Sequence, residues 1–201
     1  MQWVFFPLHP DTPAAGQPLK DLFAGRGLDL NAMHTRMKGL MDAEGLPYNR
    51  RTHSYNSRLA QELAKWADSQ PGFESIHDSL YRAYFVDGRN LGDPEVLVGV
   101  AQSVGLTPDA AREVLTRRTF KNAVDADWAK ARRYGITGVP SFLAGGSKVV
   151  GAQPYDVLAE RLDMLPPRRW VEVKGSSDVS VWPAYTGFGL ALAGAILIFA
   201  V

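Results

Sequence analysis

Residues 134–154 read YGITGVPSFLAGGSKVVGAQP, and no other window of the chain carries as much local conformational information. Gly135 is suited to end a preceding helix, because glycine adopts the left-handed geometry of a helix C-terminus at no steric cost. Pro140 lacks an amide donor and disfavours helical geometry in the residue before it. Short apolar runs at 141–144 and 148–150 flank a Gly-Gly pair, which is typical of a tight hairpin turn. The stretch therefore predicts the end of a helix, a turn and a β-hairpin.

The segments that flank the hairpin are predicted to be a helix and a strand. Apolar residues recur at helical spacing from Tyr155 to Leu165, and Pro166-Pro167 ends that pattern. At the start of the chain, residues 2–8 (QWVFFPL) are aromatic or β-branched for most of their length. Such a run favours a buried strand. Residues 12–30 are rich in Pro and Gly and are predicted to be a loop with one short helical turn.

The middle of the chain is predicted to be a block of helices with clear start and stop signals. Asp93-Pro94 and Thr107-Pro108 each combine a favoured capping residue with proline in the first helical position. Helices are predicted at 31–44, 57–70, 74–86, 94–105, 108–118 and 122–134. In the first of them, Met33, Met37, Leu40 and Met41 share a face. We expect these methionines to fill the core rather than to line a binding groove.

Composition excludes several classes of function. Lys plus Arg is 22 against 21 for Asp plus Glu, so a net charge of +1 offers no broad field for nucleic acid. The sequence has no cysteine, which excludes disulfides, thiolate metal sites and a dithiol redox centre within this chain. The four histidines are scattered, and no metal site is expected from His9, His34, His53 and His77. Residues 1–8 lack the basic n-region of a signal peptide and their apolar run is too short for one, so no signal peptide is predicted there.

In the order of its predicted elements and in its residue identities, the segment 3–165 resembles the DsbA-like family of dithiol oxidoreductases and its FrnE-type branch. Gly138-Val139-Pro140 is similar to the cis-proline loop of that family, and residues 151–154 (GAQP) are similar to the segment that opens its last helix. Residues 83–93 (AYFVDGRNLGD) look like the corresponding FrnE-branch segment. The resemblance implies an α/β thioredoxin-like fold with an inserted α-helical domain, and a cis bond before Pro140.

The resemblance also implies a domain organisation. A partial thioredoxin-like domain is expected at 1–30 and 119–167, with the inserted helical domain at 31–118. Residues 168–181 are expected to be a polar linker. The family's first strand and its Cys-x-x-Cys helix have no counterpart ahead of residues 2–8. In the family, that strand lies between the opening strand and the hairpin. Its loss would leave unpaired strand edges, so we expect that the sequence is truncated at its N-terminus.

Function follows from the resemblance as an expectation. The family uses its cis-proline loop to offer backbone to an extended substrate, which predicts peptide contacts at Thr137, Val139 and Pro140. No catalytic residue is expected, because thiol-disulfide exchange needs a thiolate that this chain lacks. One alternative is a glutathione-dependent protein similar to kappa-class transferases or 2-hydroxychromene-2-carboxylate isomerases, with glutathione as cofactor. The other is a non-enzymatic thioredoxin-like module that binds peptides.

The C-terminal tail is predicted to be a membrane anchor. Residues 182–201 are twenty residues without a charge, which is the length that crosses a bilayer. Trp182 and Tyr185 suit the membrane interface. Arg168, Arg169 and Lys174 favour a cytoplasmic body under the positive-inside rule.

Overall fold

The first strand, the helices of the middle block and the hairpin follow the predicted order in a computed structural model, which describes residues 2–73, 75–144, 146–153, 155–161 and 196–199. The α-helices are α1 Leu19–Leu22, α2 Leu30–Ala43, α3 Arg58–Ala67, α4 Ile76–Tyr81, α5 Pro94–Ser103, α6 Pro108–Arg117, α7 Lys121–Arg133 and α8 Tyr155–Arg161. The strands are β1 Gln2–Phe5, β2 Gln17–Pro18, β3 His53–Ser54, β4 Ser141–Ala144, β5 Ser147–Val150 and β6 Ile196–Phe199. A short π-helix, Arg82–Val86, continues α4.

The main sheet joins both ends of the chain in the order β1-β6-β4-β5. β4 and β5 form the antiparallel hairpin that the Gly-Gly turn predicts, with Phe142 opposite Val149. β6 lies parallel to β1 and antiparallel to β4. The small β2–β3 pair forms a separate antiparallel sheet, and the sequence pattern did not predict it, because two residues are too few to show a period.

β6 occupies the position at which the sequence predicts a gap in the sheet. Trp3 and Phe142 both have Leu197 as their partner, so β6 supplies hydrogen-bonding neighbours to the two facing strand edges. The predicted membrane tail includes these four residues; its other residues, 182–195 and 200–201, lie outside the described residues. Within the described ranges, no helix is both long and apolar enough to cross a membrane.

The principal core lies among the helices rather than against the sheet. It contains the apolar faces of α3 to α6, together with Phe5 of β1. Fully buried residues include Leu63, Ile76, Leu80 and Leu97. Ile76 and Leu80 are four residues apart, as are Leu97 and the buried Ala101, and Leu63 follows the buried Ala60 by three. Such spacing places these residues on one face of each helix, as the sequence predicts.

α2 differs from its prediction. Every residue of this helix is described, and none of them is buried. Met33 and Met37 are 44% and 43% exposed, so the expectation that they fill the core is wrong. The helical period fixed which residues share a face, but whether another element covers that face depends on packing that the sequence does not show.

The predicted helix at 74–86 is also not a single α-helix. α4 ends at Tyr81, and the following turn is widened so that the amide of Asp87 donates to the carbonyl of Arg82 at 2.9 Å. The wider turn places Tyr84 and Phe85 against one guanidinium, that of Arg51, at 4.7 Å from each ring. Cation–π contact with two rings is a physical reason for the π-helical turn.

Candidate functional site

The candidate site is the loop between α7 and β4. α7 ends at Arg133, and Gly135 follows with a φ of 60°, which L-residues with a side chain rarely adopt. Its amide donates to the carbonyl of Arg132 at 2.9 Å. Ile136 is buried and packs with Ala131 of α7. The helix end predicted at this glycine is therefore present, and it fixes where the loop starts.

Three further hydrogen bonds hold the loop, two of them at its other end. Ser141 donates from Oγ to the carbonyl of Gly138 at 2.7 Å. The amide of Gly151 donates to the carbonyl of Pro140 at 2.8 Å, and Lys148 donates from Nζ to the carbonyl of Gly135 at 2.9 Å. The Val139–Pro140 peptide bond is cis, in agreement with the expectation from the resemblance.

Val139 presents its side chain and its backbone to different surroundings. The side chain packs against a buried cluster that includes Val4 of β1 and Phe6, which follows that strand. Within the part of the chain that the structure describes, neither the amide nor the carbonyl of Val139 forms a hydrogen bond. Thr137 is exposed, and Val139 and Pro140 are half-buried. The loop thus carries an unpaired backbone donor and acceptor on an anchored segment.

The loop lies at one end of the central strands. Ser141 is the partner of Ile198, and Ile198 is the partner of Val4. Because β1 and β6 run in parallel, their carboxyl ends reach the same edge of the sheet as the start of β4. Pro140 therefore stands at the level of Phe199, beside the carboxyl ends of two strands.

A buried polar network lies behind this edge. Gln61 of α3 is fully buried; its Nε2 donates to the carbonyl of Phe6 at 3.3 Å, and its Oε1 accepts from Trp128 Nε1 at 2.8 Å. Asp127 of α7 accepts from the amide of Phe5 at 3.2 Å and from Lys65 Nζ at 2.7 Å. These contacts satisfy backbone groups at the end of β1 and tie that end to two helices.

Glu62 of α3 is fully buried and belongs to a second charge network beside the first. It accepts two hydrogen bonds from Arg118 at 2.7 Å and one from Arg58 at 2.6 Å. Burial raises the pKa of Glu62, but the hydrogen bonds from Arg118 and Arg58 outweigh burial and leave the pKa below its usual value. The carboxylate is therefore ionised at neutral pH and links α3 to the end of α6.

The four histidines do not assemble into a metal site. His77 is buried, hydrogen-bonds to Asp68 at 2.7 Å and stacks on Trp3 at 5.0 Å. His34 stacks on Tyr48 instead, at 5.7 Å. Across the described ranges, no group of three or more His, Cys, Asp or Glu side chains is arranged to hold a metal ion.

The structure brings Thr137, Val139 and Pro140 together on one anchored loop, as their adjacency in sequence requires. Sequence reasoning missed the network behind the loop. Asp127 and Lys65 are separated by 62 residues, and both look like ordinary solvated charges on amphipathic helices. A charged residue on the apolar side of a helical pattern is the one signal that points to such a pair, and it does not identify the partner.

Comparison with known proteins gives a family and a fold. The family model for a DSBA-like thioredoxin domain matches residues 1–163. The crystal structure of a probable DsbA oxidoreductase from Streptomyces coelicolor superposes with a TM-score of 0.70 at 28% identity, covering 87% of this chain and 81% of that chain.

Two further relatives are more distant or only partly covered. A candidate protein disulfide isomerase from Nitrosomonas europaea superposes with a TM-score of 0.56 at 13% identity, covering 80% of this chain and 94% of that chain, and shares the fold. The uncharacterized protein YwbO of Bacillus subtilis is 29% identical over 111 residues, which is 55% of this chain and 55% of that protein. The chain thus spans about half the length of that curated relative.

Proposed function

Because this chain belongs to the family of DSBA-like thioredoxin domains, we propose that it binds extended peptide segments at the Thr137–Pro140 loop and does not itself exchange thiols and disulfides. The observation that carries the proposal is the unpaired backbone of Val139 on an anchored loop. An extended peptide can pair with such a donor and acceptor as an added strand.

The absence of redox turnover follows from chemistry. Exchange proceeds through attack of a thiolate on a disulfide sulfur, and this polypeptide has no cysteine to supply one. Purified protein is expected to give no reduction of insulin by dithiothreitol above the rate of buffer alone. Turnover in cysteine-free material would refute this part of the proposal.

Peptide binding is tested by following the backbone amide of Val139, which would pair with the peptide, by NMR. The probe is an eight-residue peptide of alternating valine and threonine with a lysine at each end, titrated into isotopically labelled protein. We expect the amide resonance of Val139 to shift, while that of Gly99, within α5, stays unchanged. Two matched peptides carry N-methyl groups on alternate amides, so that each peptide lacks the N–H donors along one of its two edges. One of them should bind roughly fivefold more weakly, which corresponds to one net hydrogen bond.

Other outcomes of that titration count against the proposal. No shift at Val139, or equal binding of all three peptides, would overturn strand pairing at the loop. Glutathione is titrated with the same readout, because the glutathione-dependent alternative predicts saturable shifts with the tripeptide and none with the longer probe.

Two finer assignments belong to this proposal. Placement in the FrnE-type branch is supported by residues 83–93 and 151–154 of the sequence. A cytoplasmic body with a membrane-anchored tail is supported by the uncharged residues 182–201 and by Arg168 and Arg169 before them. This anchor requires residues 196–199 to leave the sheet, so the bilayer and the sheet are alternative positions for the tail. The anchor is tested by fractionating cells into membranes and soluble extract, with the full chain and with a variant, Leu190→Lys, that introduces a charge into the tail. Only the unaltered chain should sediment with membranes.

A further inference from the structure

The outer face of α2 carries an apolar stripe that the described part of the chain leaves uncovered. Met33, Met37 and Leu40 of α2, and Leu28 just before the helix, are exposed large apolar side chains, and Leu40 reaches 55% exposure. The adjacent flank of the helix contacts the body, where His34 stacks on Tyr48. The exposed stripe is therefore a consistent face of the helix and not a set of scattered residues.

The stripe has a symmetric pattern. Met33, Met37 and Leu40, together with the half-buried Leu30, are spaced by three, four and three residues, and the residue types read the same in both directions. This is the a/d spacing of two helices that pack side by side. A palindromic seam is what a two-fold interface needs, because each copy must present the same patch to the other.

We propose that α2 is a dimer interface and that its occupant is α2 of a second copy, packed antiparallel. Leu30 then faces Leu40 of the second copy, and Met33 faces Met37. Methionine suits such a seam, since its flexible thioether fills irregular gaps between facing side chains.

Charges favour the antiparallel arrangement over the parallel one. Glu44 continues the seam beyond Leu40 at the same spacing. A parallel pair places the two Glu44 carboxylates opposite one another, which is repulsive. The antiparallel pair separates them and brings each towards the positive N-terminal end of the facing helix. It also brings Arg36, at the edge of the stripe, near Asp29 of the second copy.

The interface is small, and the dimer is correspondingly weak. α2 has 14 residues, so it is about 21 Å long at 1.5 Å per residue. A single helix pair of that length buries less than the roughly 1,200 Å² of a standard stable interface. Association is therefore expected to depend on protein concentration and not to be permanent.

Cysteine cross-linking tests the register on the full chain, whose lack of native cysteine removes all background. Met33→Cys and Met37→Cys are made separately and oxidised alone or mixed. The mixture should cross-link several-fold more than either variant alone, because residue 33 faces residue 37 across the two-fold axis. Thr35→Cys, exposed on the far side of the same helix, is the matched control and should not cross-link.

Sedimentation of variants without cysteine gives an independent readout. Met37→Lys lies on the exposed stripe, so the fold is expected to tolerate it, while the dimer dissociation constant should rise roughly tenfold or more. Thr35→Lys adds the same charge off the stripe and should leave the constant unchanged. Equal cross-linking of each variant with itself indicates a parallel pair and overturns the proposal. A monomer at every concentration also overturns the proposal.

Discussion

The carboxylate of Glu62 is the single side chain on which the described charge network depends most. Replacing it by glutamine removes the anion between Arg58 and Arg118 and keeps its shape. Because both guanidinium groups remain partly solvated, the free energy of unfolding is expected to fall by about 2 kcal/mol, measured by urea denaturation at pH 7. Glu113→Gln, which disrupts an exposed pair with Arg117, should cost less than about 0.5 kcal/mol.

The stability difference between the wild type and Glu62→Gln is expected to decrease as the pH falls. The pKa of Glu62 is lower in the folded chain than its usual value, so the folded state favours the ionised form. Its contribution is complete above the unfolded pKa of about 4.3 and is lost as the pH falls through the lower folded pKa. Denaturation of wild type and Glu62→Gln from pH 7 to pH 3 should therefore give curves that converge only below about pH 4. A difference that stays constant to pH 3 would assign the effect to packing.

Helix α5 and helix α6 look alike in sequence and differ in structure. Asp93 and Thr107 both precede a proline, and both are predicted caps. Asp93 accepts a hydrogen bond from the amide of Glu95 at 2.9 Å, whereas among the described residues the side chain of Thr107 makes no capping bond.

This difference can be measured by matched substitutions. Asp93→Ala should lower the free energy of unfolding by about 1 kcal/mol, because it leaves one amide of the first turn without a partner. Thr107→Ala should change it by less than about 0.5 kcal/mol, as expected for a surface position without a special contact. Thermal and chemical denaturation of both variants provide the comparison, and equal losses would show that Thr107 caps its helix in solution.

β6 connects the two ends of the polypeptide within one sheet, and its pairing makes a prediction about the whole molecule. Leu143 and Ile196 are Cα partners in the antiparallel β4–β6 pair. Such partners lie about 4.5–5.5 Å apart, which a disulfide can span. Leu143→Cys with Ile196→Cys should therefore oxidise to an intramolecular cross-link, seen as an intact-mass loss of two hydrogens and a linked peptide after digestion.

A mispaired combination controls for random collision. Phe199 is three residues further along β6 and lies opposite the loop rather than Leu143, so Leu143→Cys with Phe199→Cys should stay reduced under the same conditions. Equal oxidation of the two pairs would mean that the tail does not hold this register. Cross-linked dimers in place of monomers would mean that the strand is exchanged between copies.

Local sequence was sufficient for much of the architecture. Gly135, Pro140 and the Gly-Gly pair act on the backbone within a few residues, so the end of α7, the turn and the hairpin follow from steric rules alone. Helix starts at Pro94 and Pro108 follow for the same reason. The family resemblance, carried by the Gly-Val-Pro and Gly-Ala-Gln-Pro segments, was confirmed by the match over residues 1–163.

Only the folded chain shows which distant strands and charges pair and which helix faces are covered by other elements. The insertion of Ile196–Phe199 between β1 and β4 depends on which unpaired strand edges the rest of the fold leaves adjacent, and no rule of local geometry contains that information. The Asp127–Lys65 pair and the exposure of Met33 and Met37 have the same origin. A residue's neighbours within a few positions set its backbone, whereas its burial and its charge partners are set by residues that only the three-dimensional fold brings near.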